Sequence, residues 1–176
     1  GATGQDGYYL IKELQGRGYE VAALYRGQDE SRLGGFKTEH PDVHWYRGDV
    51  TDPASVESAI RDSFPDVIFN LAAASYVGLS WQMPKLYMDV NCNGFINVLE
   101  AARQHSPSAH VVQASSSEMF GNVGGLSLDE DSPMAPASPY GVSKLAFAPA
   151  SAPTFFSAFP TLLASRWNIG VVFSWR

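Results

Sequence analysis

Tyr140 and Lys144 stand four residues apart in the run SPYGVSK, a spacing that puts two side chains on one face of a helix. An ammonium beside a phenol favours the phenolate. Lys144 is therefore expected to draw the Tyr140 hydroxyl down from its ordinary pKa of about 10 and make it a base. Three serines and a glutamate precede the pair, Ser115-Ser116-Ser117-Glu118. Ser116 can hold the substrate oxygen that Tyr140 deprotonates, and Glu118 adds a carboxylate able to move a second proton. A tyrosine and a lysine at this spacing also describe any polar surface helix, so their meaning depends on what the rest of the chain places around them.

The chain opens on GATGQDG. Gly1 and Gly4 permit a tight turn and close approach of a phosphate, and Gly7 permits close packing of the following helix. That helix is predicted from about Asp6 to Gly16, with Tyr9, Leu10, Glu13 and Leu14 marking its faces. Its first turn, Gln5 and Asp6 included, offers free N–H groups to a pyrophosphate. The strand that ordinarily precedes such a turn is not in the sequence. It would be central in the sheet, so the chain reads as a truncated one. Residues 18–25 form the next predicted strand, and Arg26 follows it. An acidic residue at this strand end suits a free ribose 2′-hydroxyl, whereas an arginine suits a 2′-phosphate. Arg26 thus favours NADP over NAD, the plain alternative being a solvated arginine in the loop of residues 27–40.

Val43 to Tyr46 is a third short strand. It leads to Asp49, placed to accept from an adenine amino group, with the Val50 backbone beside it. Asp52 and Pro53 read as the cap and first residue of a helix over 53–63, with Val56 and Ile60 on one face. Residues 66–71, DVIFNL, are apolar enough for a strand buried on both faces. They end in Leu71-Ala72-Ala73-Ala74-Ser75, whose small residues let a cofactor lie close to the backbone or simply make a tight turn. Residues 76–83 read as a loop. A long helix is predicted over 84–105, with Val90, Ile96, Val98 and Leu99 as its apolar face, and a fifth strand over 109–114. Alternating strands and helices specify a Rossmann-like, doubly wound parallel α/β sheet. Every candidate residue sits at a strand's carboxyl end or on the helix after it, where such sheets bind ligands.

Composition narrows the partners. The chain has 176 residues, a 45% apolar fraction and a net charge of −6, with no cluster of Lys and Arg. It is globular, and nucleic acid and membrane surfaces are not its expected partners. No apolar run approaches a membrane span. A single cysteine, Cys92, excludes an internal disulfide and fits a reducing, cytoplasmic setting; its apolar helical surroundings suit a core position. The four histidines, His40, His44, His105 and His110, lack metal-ligand spacing, so no metal is expected.

Taken together, GATGQDG, Arg26, GDVTD, NLAAASYVGLSW, QASSSEMFG and SPYGVSK resemble the extended short-chain dehydrogenase/reductases, and more narrowly the GDP-mannose 4,6-dehydratases. The resemblance covers about residues 1–146, the expected NADP-binding domain. It implies catalytic roles for Ser116, Glu118, Tyr140 and Lys144. Tyr140 takes the proton from the sugar 4-hydroxyl as hydride leaves C4 for NADP, Glu118 removes the C5 proton and helps expel the C6 hydroxyl as water, and the hydride returns to C6. Lys144 also holds the nicotinamide ribose and Ser116 the sugar O4. A nucleotide-sugar substrate is implied, GDP-mannose being the family's. So is a homo-oligomer built on the helices around 84–105 and 138–148, although a break in the second leaves its form open here. Two other readings stay open: another nucleotide-sugar epimerase, decarboxylase or reductase of the same superfamily, and an inactive truncated relative.

The resemblance departs at Ala74, where the family usually has Gln, and ends after Lys144. Pro149, Pro153 and Pro160 interrupt what the family continues as helix, so the helix is predicted to stop near Phe147. Residues 147–176 form a divergent tail, read either as a frameshifted end or as a functional segment. Residues 169–173, IGVVF, look like the next strand. The family's sugar-nucleotide-binding half has no counterpart in the sequence.

Overall fold

The computed structural model describes residues 1–27, 30–125, 127–129, 131–146 and 169–173, with residues 30–32 and 169–173 described by their backbone alone. In chain order the elements are α1 (Gln5–Gly16), β1 (Glu20–Tyr25), α2 (Glu30–Glu39), β2 (His44–Arg47), α3 (Pro53–Ser63), β3 (Val67–Asn70), α4 (Val77–Ser80) and α5 (Pro84–Tyr87). A π-helical turn (Met88–Asn93) joins α5 to α6 (Gly94–His105). Then come β4 (His110–Gln113), a 3₁₀ turn (Ser117–Met119), α7 (Pro139–Leu145) and β5 (Ile169–Phe173).

The five strands form one parallel sheet in the order β2-β1-β5-β3-β4. Alternation along β1 divides the core between the two faces of the sheet. Ala22 and Leu24 pack with Val56, Ile60, Ile68, Phe95, Val98 and Tyr140. Val21 and Ala23 pack with Ala2, Ile11 and Val43. Helices α3 and α6 lie together on the first face, where fully buried Val56, Ile60 and Val98 each contribute about 1.5–3 kcal/mol relative to exposure. The Asp52 carboxylate accepts from the Ala54 N–H at 3.2 Å and Pro53 takes the first position of α3, as the sequence reading has it.

Three features differ from that reading. Residues 76–83 are not all loop, since they contain α4. The helix over 84–105 is interrupted by the π-turn, and its buried face is not the expected one. Val90 and Val98 are buried, but Ile96 is 43% and Leu99 37% exposed. The buried stripe instead runs through Tyr87, Asn91, Gly94, Phe95, Ala101 and Ala102, several of them small or polar residues that an apolar count passes over. The third difference is β5. Strand 169–173 does not extend the sheet beyond β4. It lies between β1 and β3, the central position that the sequence reading leaves empty. There it has a hydrogen-bonded neighbour on each edge, which suits an apolar segment such as IGVVF. Phe147, where the helix was expected to stop, lies outside the described residues, as do the three prolines after it; within them α7 ends at Leu145.

Candidate active site

The glycine turn closes on itself, the Gly4 N–H donating to the Gly1 carbonyl at 3.0 Å. Gly4 caps α1 with no side-chain hydrogen bond, so the first amides of a twelve-residue helix keep their donors for an anion. Gly1 and Gly7 are buried, while Gln5 and Asp6 are exposed on the first turn. A Cβ at position 7 would lie 1.8 Å from the Gly1 carbonyl oxygen. Only glycine lets the helix start this close to the turn.

The catalytic candidates gather where β3 and β4 end. Ser138 caps α7, its Oγ accepting from the Gly141 N–H at 3.0 Å, and Pro139 takes the first position. Tyr140 is buried, its ring edge-on to Tyr87 with centroids 6.2 Å apart. Lys144 is 8% exposed, and its Nζ donates to the Ala114 carbonyl at 2.9 Å. Burial pushes the Lys144 ammonium down to about 8. The Ala114 carbonyl also accepts from Gln113 Nε2 at 3.2 Å, and Gln113 Oε1 accepts from Asn70 Nδ2 at 2.6 Å. The last residues of β3 and β4 thus join the lysine in one polar chain. An ammonium has three N–H donors, and the Ala114 bond uses one of them.

The serine-glutamate turn packs onto this helix. Ser116 Oγ accepts from the Glu118 N–H at 3.2 Å and so caps the 3₁₀ turn. A Cβ at position 141 would lie 2.5 Å from the Glu118 carbonyl oxygen, so the residue after Tyr140 has to be glycine for the glutamate's turn to reach it. Ser116 and Glu118 are half-buried. The glycine turn approaches the same group, Gly1 lying within reach of the Lys144 charge.

The remaining candidates spread along the strand ends. Arg26 follows β1 and is half-buried. Asp49 Oδ1 accepts from both the Thr51 N–H, at 2.9 Å, and the Thr51 hydroxyl, at 2.8 Å. Val50 turns its side chain into the core, and its carbonyl accepts from Asn97 Nδ2 at 2.8 Å. Leu71 and Ala73 are half-buried, Ala72 is buried and Ser75 exposed. The Ala72 N–H donates to Asn70 Oδ1 at 3.2 Å. The segment is held by Asn91, which the sequence reading missed. Its Oδ1 accepts from the Ala74 N–H at 2.8 Å, and its Nδ2 donates to the Ala74 carbonyl at 3.1 Å and to Ser143 Oγ at 2.9 Å. A polar residue on the buried stripe of a helix was the available signal, but it becomes readable only once the stripe is known. The Ser-Pro cap of α7 was legible in the sequence and was also passed over.

The profile of the GDP-mannose 4,6 dehydratase family matches residues 1–150. The chain belongs to this family. The GDP-mannose 4,6-dehydratase sdnI of Sordaria araneosa is 38% identical over 150 residues, covering 82% of this chain and 27% of that protein. The GDP-mannose 4,6 dehydratase 2 of Arabidopsis thaliana is 38% identical over 158 residues, covering 83% and 42%. The chain therefore spans less than half the length of these GDP-mannose 4,6-dehydratases. Among solved structures, a double mutant of the Streptomyces venezuelae dTDP-glucose 4,6-dehydratase DesIV, crystallised with NAD and DAU, superimposes with a TM-score of 0.71 at 25% identity, over 82% of this chain and 47% of that one. The Thermus thermophilus UDP-glucose 4-epimerase in complex with NAD gives a TM-score of 0.71 at 29% identity, over 98% and 52%. Among the described residues no helix is long and apolar enough to cross a membrane.

Proposed function

We propose that this chain is the nucleotide-binding and catalytic half of a GDP-mannose 4,6-dehydratase working with NADP, and that it converts GDP-mannose to the 4-keto-6-deoxy sugar nucleotide. The observation that carries the reading is the packing of the Glu118 backbone against Gly141, which brings the glutamate's turn onto the helix that carries Tyr140 and Lys144. Simple alcohol oxidation needs no second base; dehydration does. The uncapped start of α1 and the glycine contact at Gly7 fit a dinucleotide pyrophosphate, held at Gly1, Gly4, Gln5, Asp6 and Gly7. Arg26 would meet the adenosine ribose, Asp49 and Val50 the adenine, and Leu71, Ala72, Ala73 and Ser75 the nicotinamide half. When bound, the nicotinamide accepts a hydride from C4 of the sugar and returns it to C6.

The chain's own residues move the protons. Tyr140, as the phenolate that the Lys144 ammonium favours, takes the 4-hydroxyl proton, and Lys144 would use a free N–H on the ribose. Ser116 holds the sugar O4. Glu118 removes the C5 proton, made acidic by the 4-ketone, and delivers a proton to the departing C6 hydroxyl, which leaves as water. Exposed Ile96, Leu99 and Val142 on α6 and α7 support a second copy of the chain as the assembly partner.

Incubation with GDP-mannose and NADP+, followed by mass analysis of the sugar nucleotide, tests the reading. Loss of one water is expected from the wild-type chain and not from Glu118→Gln. Unchanged GDP-mannose with the wild type, or equal conversion by Glu118→Gln, contradicts it.

A further inference from the structure

Arg26 is not the only guanidinium in the nucleotide region. Arg47 closes β2 in register with Tyr25, the last residue of β1, and the two strand ends are pinned where the Gly48 N–H donates to the Tyr25 carbonyl at 3.0 Å. From there the Arg47 side chain crosses to the neighbouring strand. A Cβ at Gly27 would lie 2.3 Å from Arg47 Nε, 2.9 Å from its Cζ and 3.0 Å from its Nη2. The guanidinium thus lies against the backbone of the residue that follows Arg26. Gly27 is the position that makes room for it.

Cations gather at this strand end in a chain whose net charge is −6. Lys37 Nζ lies 5.3 Å from the centroid of the Tyr25 ring, adding a third cation to this strand end. The nearest acidic residue in sequence, Asp49, directs Oδ1 to Thr51. The ion pairs among the described residues do not include Arg47, and the residue is exposed.

We propose that Arg47 is a second contact for the 2′-phosphate of NADP, and that together with Arg26 it sets the preference over NAD. The inference rests on the NADP reading above and extends it to a residue that the strand-end rule does not name. A phosphate monoester carries close to two negative charges near neutral pH. One arginine can meet two of its oxygens with parallel N–H donors, which leaves a third oxygen and about one charge unmatched. A second guanidinium arriving from the adjacent strand supplies both. Arginine suits this place better than lysine, because its planar fork presents paired donors in a fixed direction.

The test measures the affinity of the whole chain for NADP+, NAD+ and 2′,5′-ADP by calorimetry, with far-UV circular dichroism to confirm folding. Wild type should bind NADP+ at least about tenfold tighter than NAD+. Arg47→Gln should weaken NADP+ and 2′,5′-ADP by about tenfold and leave NAD+ within about twofold. Gly27→Ala, whose new methyl takes the space of Arg47 Nε, should reproduce that pattern with Arg47 still present. If Arg47→Gln leaves the NADP+ preference intact, or weakens NAD+ equally, Arg47 has no such role while the NADP reading stands. If the wild type binds NAD+ as tightly as NADP+, or binds neither, the NADP reading fails and the role of Arg47 fails with it. If Arg47→Gln does not fold, the Gly27→Ala result decides in the same way.

Discussion

Two regions along the carboxyl edge of this sheet are built on different principles. In the proposed nucleotide region, the groups on offer are backbone amides and charges on the rim: the uncapped start of α1, Arg26 and Arg47. In the proposed catalytic region, buried polar groups are bonded into two networks. Asn70, Gln113, the Ala114 carbonyl and Lys144 form one chain, and Asn91 clamps Ala74 to Ser143. The contrast matches the two tasks. A dinucleotide is held by many weak, distributed contacts around a rigid turn. Proton transfer requires a few atoms held to a fraction of an ångström, and that requires buried, mutually satisfied partners.

The largest effect should come from breaking the wired region at a residue that touches no substrate. Asn91→Leu leaves the Ala74 N–H and carbonyl and the Ser143 hydroxyl short of partners. A loss of about 4 kcal/mol in urea unfolding is expected, each stranded group costing about 1–3 kcal/mol. A loss below about 1 kcal/mol would mean that the clamp does not organise the site. Gly7→Ala attacks the other region by contact alone. Pushing α1 off the turn should cost about 3 kcal/mol and abolish nucleotide-induced stabilisation in a thermal-shift titration. Retained binding would show that the turn tolerates a side chain.

Lys144 sharpens the comparison through pH. Its pKa falls from 10.5 unfolded to about 8 folded because of burial. Between those values the unfolded chain holds the extra proton, so stability rises with pH from about 8 to 10.5 and is level below 8. The gain is about 2–3 kcal/mol after allowance for residual solvent. It should vanish in Lys144→Met, measured as the difference between the two proteins' unfolding free energies at each pH. A parallel pH dependence in both would place the titration elsewhere. The smallest effect belongs to a contact outside both regions. The Arg103 hydrogen bonds hold Glu100 down to about 2, but the pair is exposed, at 68% and 50%, and Glu100→Gln should leave the melting temperature unchanged within error.

What could be read from the sequence divides along the same line. The nucleotide region announces itself locally: the glycine spacing at 1–7, the Arg after β1 and the Asp52-Pro53 cap are short-range signals tied to backbone geometry. The alternation of strands and helices gave the parallel sheet for the same reason. The wiring of the catalytic region is long-range. Asn91 reaches across 52 residues to Ser143 and Asn70 across 43 to Gln113, pairings that no local pattern encodes. The exposure of Ile96 and Leu99 was missed because a helix with apolar residues on two faces does not say which one is buried. The place of β5 was missed because a short apolar run specifies burial on both sides but not its neighbours.

The most direct test of the central claim, that Tyr140, Lys144 and Glu118 work as one dehydrating site, follows a label. The chain is incubated with NADP+ and GDP-mannose deuterated at C4, and the product is examined by mass spectrometry and NMR. The account predicts a dehydrated 4-keto product with the deuterium at C6, and no such product from Glu118→Gln. A product that retains the C6 hydroxyl, or a dehydrated product without deuterium at C6, would contradict it.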